Sequence, residues 1–201
     1  MHKVFITYHH KNDQWYKERL VELGWQHSIF IDKSVDTGDV SEHLSDERIR
    51  EIIRDEYLRD STVTIVLVGT ETERRKHVDW EIYSSMFDGT VNKKSGILVV
   101  NLPGTSENFT AAHGDGEKNC VYPDVTSWIS VDTRREYERR YPHMPDRIID
   151  NLLKPEAKIS VAPWNRIEND VGKLKFLVDA TFEDRGRCEY DFSRPMRRHN
   201  S

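Results

Sequence analysis

Glu81 follows Trp80 in the run ERRKHVDWEIYSSMFDG at 73–89, where Val78, Ile82 and Met86 recur at helical spacing. A carboxylate on a helix face beside an aromatic ring can hold the two hydroxyls of a ribose. It can also stabilise the oxocarbenium-like charge that develops when an N-glycosidic bond breaks. Glutamate is equally an ordinary helix-surface residue, and on spacing alone a solvated Glu81 is the simpler reading. His9 and His10 close the first apolar run. Adjacent strand positions point to opposite faces and no third ligand stands at metal-binding spacing, so one histidine is expected to line a site and the other to pack, with no metal held. Cys120 and Cys188 lack the paired spacing of a zinc site, and no GxSxG elbow occurs, so neither a cysteine nor a serine triad has support.

The elements that must position these groups alternate regularly. KVFITY at 3–8 is β-rich, and Asn12 or Asp13 can cap a following helix carrying Trp15, Tyr16, Leu20 and Leu23. SIFID at 28–32 predicts a second strand, with a helix after it bearing Leu44, Ile49, Ile52, Ile53, Tyr57 and Leu58. TVTIVLV at 62–68 has the unbroken β-branched content of a central parallel strand. The Glu81 helix follows, then GILVVNL at 96–102. Strands separated by helices predict a parallel sheet with right-handed crossovers, a three-layer α/β/α domain. Residues 103–126 are rich in Gly, Ser, Thr, Asn and Asp and predict an irregular insertion, either a mobile lid or a surface loop. Beyond it the pattern predicts a strand near 128–131, a polar run RREYERRY, a helix at 146–153, a strand near 158–162 and one helix over 165–183.

Ligands of such sheets bind beyond the carboxyl ends of the strands, here Thr7 to His10, Asp32 to Asp39 and Gly69 to Arg75. No GxGxxG follows the first strand and no GxxxxGK[ST] occurs, which removes a dinucleotide-binding dehydrogenase and a P-loop NTPase. Tyr-His-His and Gly-Thr stand where a phosphoreceiver domain needs its acidic cluster and phosphorylated aspartate.

Length and composition set the outer limits. The 201 residues fit one domain with an insertion. Although 32% of residues are charged against 36% hydrophobic, 5 Trp, 8 Tyr and 7 Phe supply the bulk of a core. A net charge of −5 argues against a nucleic-acid partner, and the basic tail SRPMRRHN, with Arg194, Arg197 and Arg198, suits a salt-bridged or solvated end better than an anion site. The longest apolar runs are far too short to cross a bilayer, and MHKVFITYHH lacks a signal-peptide apolar core, so a cytoplasmic protein without membrane contact is expected.

KVFITYHHKND, IFIDKSV, STVTIVLVGTETERRKHVDWEIYSS and YDFSRPMRRHN resemble, in order and spacing, the TIR-like proteins of the Thoeris anti-phage system, a branch of the TIR superfamily. The resemblance spans nearly the whole chain and is most specific over VLVGTETERRKHVDWEI. It implies a flavodoxin-like (TIR-like) fold with an extended C-terminal part. It also implies an enzyme that cleaves NAD at the nicotinamide–ribose bond, with Glu81 catalytic and Tyr8, His9, Asp32, Ser34 and Trp80 around the nucleotide. NAD is then a substrate and no resident cofactor is expected. The implied product is an ADP-ribose species, cyclised or conjugated, that activates a partner effector as a diffusible signal after a phage-derived trigger. Self-association into a homo-oligomer fits both this and the alternative, a non-catalytic TIR-like signalling module. The loop KSVDTGDVSEHL departs from the sequence of other TIR loops at this position.

Overall fold

A computed structural model describes residues 1–34, 40–41, 43–106 and 108–200. Five parallel strands, β1 (His2–Thr7), β2 (Phe30–Asp32), β3 (Val63–Val68), β4 (Gly96–Asn101) and β5 (Ser160–Pro163), form one sheet in the order β2-β1-β3-β4-β5. Every residue of β3 and β4 is buried, as central strands covered on both faces require. One face, carrying Val4, Ile6, Tyr8, Ile65, Leu67, Leu98 and Val100, packs against α1 (His10–Gln26), α7 (Trp164–Glu168) and α8 (Val171–Asp184). On the other face Val66, Val68, Ile97 and Val99 meet α3 (Lys76–Met86) and the Ile148–Ile149 pair of α6 (Asp146–Leu152). Phe5 of β1 packs on that same face with Trp80 and with Ile49 of α2 (Asp46–Ile52), which runs on into a π-helical turn at Ile53–Tyr57. The three-layer α/β/α architecture is thus the one the strand–helix alternation predicts.

Near the N-terminus α1 starts earlier than expected, with His9 as its N-cap, so Asn12 and Asp13 lie inside the helix and do not cap it; the other differences from expectation lie in the C-terminal half. Residues 128–131 form no strand, because the outer edge of β5 is already paired antiparallel by Ala111 at Val161. Ile129 stands 73% exposed instead. The stretch 103–126 contains α4 (Asp115–Val121), and Val121 and Tyr122 enter the core on the α1 side of the sheet. The polar run is a helix, α5 (Arg134–Arg140), capped by the Thr133 hydroxyl. The helix expected over 165–183 is interrupted, because the Asp170 side chain accepts from Gly172 N and starts α8 afresh. Of the basic tail, Arg194 pairs with Asp150, Arg197 with Asp146 and Arg198 with Asp46.

Candidate functional site

The carboxyl end of β1 turns directly into α1, with His9 as the N-cap residue. Tyr8 shares its strand face with Val4 and Ile6, toward α1, and its hydroxyl donates to Gln14 Oε1 at 2.6 Å while the ring stacks on His10 at 4.4 Å. Thr7 lies on the opposite, α3-facing side, fully buried, and its hydroxyl has no hydrogen-bond partner. His9 sits at the crest between the two faces, 8% exposed. Its Nδ1 makes no hydrogen bond and stands 3.8 Å from Glu71 Oε2. Burial, and then the Arg75 guanidinium, push the His9 pKa below its ordinary value, so the ring is held neutral at neutral pH.

Asp13 and Gly69, neither of them expected to touch the nucleotide, shape this rim. Asp13, in the first turn of α1, is buried, and its carboxyl presses on Gly69 so closely that any Cβ there would overlap it. Gly69 is therefore required by this approach. Burial raises the Asp13 pKa, against hydrogen bonds from the His9 backbone and the Thr72 side chain. The Gly69 amide donates to Thr72 Oγ1 at 2.9 Å, which fixes the turn after β3. Glu71 and Arg75 form an ion pair across the 3-10 turn Thr72–Arg74 that leads into α3.

Glu81 is 2% exposed on α3, so it is not a solvated surface carboxylate. One helical turn further on, Ser85 accepts from Thr64 Oγ1 of β3 at 2.8 Å, and residues four apart share a helix face. Glu81 thus faces the sheet. Because α3 returns antiparallel to β3, it lies nearer the carboxyl ends of the strands than Ser85 does, toward Val66 and its β1 neighbour Thr7. Trp80 points elsewhere. Its indole is fully buried beside Phe5 and donates Nε1 to the Arg197 carbonyl at 2.7 Å. One position earlier, Asp79 receives a bidentate pair from the fully buried Arg147 at 2.8 and 3.0 Å and also accepts from Arg197 N. Arg147 donates in addition to the carbonyls of Arg194 and Pro195, which straps the C-terminal segment across α3.

At the end of β2, Asp32 accepts from the Ser34 amide at 2.9 Å, from its hydroxyl and from Lys17 Nζ at 2.7 Å. Ser34 Oγ in turn accepts from Ile6 N at 2.8 Å, extending the edge of β1. The structure therefore brings Tyr8, Asp32 and Ser34 to the α1 side of the rim, puts Glu81 and Trp80 on the α3 side, and leaves His9 between them. Residues 35–39 of the loop after β2 lie outside the described residues. A cavity of about 230 Å³ opens beside the rim, lined by Glu73, Arg75 and Asp79 on one wall and Arg194 and Arg197 on another. Among the described residues no group of three His, Cys, Asp or Glu could hold a metal ion.

In a comparison with known families, the Thoeris protein ThsB, TIR-like domain, matches residues 5–107, just over half the chain. The chain belongs to the ThsB TIR-like family. Membership places it in the Thoeris defence system, and the matched span runs from Phe5 within β1 through β4 and includes Tyr8, His9, Asp32, Ser34, Trp80 and Glu81. No curated protein matches the chain. No helix among the described residues of this TIR-like protein is long and apolar enough to cross a membrane. The sequence pattern marks Asp13 only as a possible cap of α1 and Gly69 only as the start of the stretch after β3, and neither as one of the residues around the nucleotide. The signal available was an acid in the first turn of α1 and a glycine directly after β3.

Proposed function

We propose that this TIR-like protein cleaves the nicotinamide–ribose bond of NAD, with Glu81 as the carboxylate beside the developing oxocarbenium charge. The observation that carries the reading is the burial of Glu81 on the sheet-facing side of α3, on the same sheet face as Thr7, whose hydroxyl lacks a partner. A fixed negative charge in a water-poor site acts on a developing cation far more strongly than one in solvent. His9, held neutral, offers an imidazole at the crest for the nucleotide, and Tyr8 presents its ring on the other side of the same turn. Asp32 and Ser34 act by holding the ends of β1 and β2 together, and Trp80 by anchoring α3. The ADP-ribose part, cyclised or conjugated, leaves as the signal for a partner effector in anti-phage defence.

Since Glu81 is 2% exposed, substrate reaches it only after the groups around it separate, and turnover belongs to an activated state following a phage-derived trigger. The test is nicotinamide release by activated wild type and Glu81→Gln, followed by mass spectrometry. The variant keeps the size of the side chain and removes its charge, so turnover is expected to fall about 100-fold or more. Equal rates would remove Glu81 from the chemistry. No release by activated wild type would make the protein a non-catalytic signalling module.

A further inference from the structure

A second cavity, of about 720 Å³, opens at the far end of the same rim, where β5 ends at Pro163. Three strand spacings separate it from β1, about 14 Å. Among the described residues its lining includes Arg140 of α5, Arg166 of α7 and Lys173 of α8, against a single carboxylate, Asp170, in a chain whose net charge is −5. The cations are ordered before any ligand arrives. Arg140 spends only its Nε on Glu136, at 2.8 Å, and Arg166 is held by Asp124 at 2.5 and 2.6 Å. Neither Glu136 nor Asp124 belongs to the lining. Lys173 is 19% exposed at its side chain, with Asp170 at 3.6 Å.

Trp128 and Ile129 line the same cavity. Trp128 is fixed edge-on to Tyr122 at 5.5 Å, with Lys118 over its ring at 5.3 Å. Ile129, 73% exposed, adds apolar surface. The amides of Asn165 and Asn169 also line it and suit sugar hydroxyls or a base edge. Three cations, an aromatic ring and neutral amides lining one cavity, in a volume within the usual range for small-molecule sites, match one ligand chemistry.

We propose that this cavity binds a phosphorylated nucleoside, with the phosphate at Arg140, Arg166 and Lys173 and the base on Trp128 and Ile129. The site is separate from Glu81 and does not rest on the NAD-cleaving reading. Titration calorimetry of the full chain with AMP, adenosine and inorganic phosphate tests it. AMP is expected to bind and adenosine and phosphate each to bind at least tenfold more weakly. Lys173→Glu should weaken AMP tenfold or more with an unchanged melting temperature, Arg166→Ala should weaken it likewise, and Glu81→Gln should leave it unaltered. Absence of AMP binding, or AMP binding indifferent to both Lys173→Glu and Arg166→Ala, would overturn the proposal. Phosphate binding as tightly as AMP would also overturn it, since the cavity would then recognise an anion and no nucleoside.

Discussion

Glu117→Gln should make the protein more stable at alkaline pH while leaving it nearly unchanged in acid. Glu117 of α4 is 3% exposed, and its Oε2 accepts from the Ser160 hydroxyl of β5 at 2.8 Å and from His113 N at 3.2 Å, whereas Oε1 is buried without a partner. Burial pushes its pKa up from 4.5 to about 7, against those two hydrogen bonds, with the nearby Asp184 adding to the rise. A carboxyl whose folded pKa is raised contributes stability that is complete below its unfolded value and is lost as pH climbs through the folded one. The window here runs from 4.5 to about 7. A displacement of that size corresponds to about 3 kcal/mol. Glutamine keeps an acceptor for Ser160 and His113, cannot ionise, and so escapes the loss. His113 Nδ1, 3.5 Å from Glu117, and Asp184, Lys158 and Lys118 nearby complete the charged surroundings. Burial holds the His113 pKa below 6.5, so that ring is neutral over the upper part of the window and does not mask the effect. Urea unfolding of both proteins across this range measures the difference in unfolding free energy, which should grow by about 3 kcal/mol in favour of the variant as pH rises. A difference that stays constant with pH, or that shrinks, would refute the reasoning.

Three other substitutions test the frame around Glu81. Asp79→Asn leaves Arg147 buried without its counter-charge and should cost about 3–5 kcal/mol by denaturant unfolding. Gly69→Ala forces a Cβ into the Asp13 carboxylate and should lower stability by about 1–3 kcal/mol, a loss that Asp13→Ala in the same chain should largely relieve in a double-mutant cycle. Trp80→Phe removes the bond from Nε1 to the Arg197 carbonyl and should cost about 1–2 kcal/mol, with faster proteolytic clipping of the segment after residue 191 as the readout.

The sheet was legible because its strands are short β-branched runs with helix-length segments between them, and TVTIVLV has the unbroken apolar character of a strand buried on both faces. Residues 128–131 misled because an apolar run records β-propensity and says nothing of whether a sheet edge is free to pair; Ala111 had taken it. The α5 run was obscure for the opposite reason, since Tyr137 is its buried residue and its charges pair with one another on the surface. At the site, the alternation that groups Tyr8 with Val4 and Ile6 is visible in the sequence and already sets Tyr8 on the face away from α3. The burial of Glu81 is not visible, because glutamate on a helix has no local mark of facing inward. Asp13 against Gly69 and Asp79 against Arg147 join positions far apart in the chain, and pairings of that kind arise only once the layers have packed.

The strap over α3 gives the end of the chain a hold on the middle of it. Arg197 contributes its amide to Asp79 and its carbonyl to Trp80, the two residues immediately before Glu81, and Arg147 completes the knot through the carbonyls of Arg194 and Pro195. A protein shortened before Arg194 would take two carbonyl acceptors from the Arg147 guanidinium, one amide donor from the Asp79 carboxylate and the acceptor of the Trp80 indole N–H, and Asp79 and Trp80 stand within two positions of the carboxylate proposed to do the chemistry. For anyone preparing this protein, a peptide label that pulls on residues 194–198 is a perturbation of α3, and loss of activity in such a preparation would report on the label before it reported on Glu81.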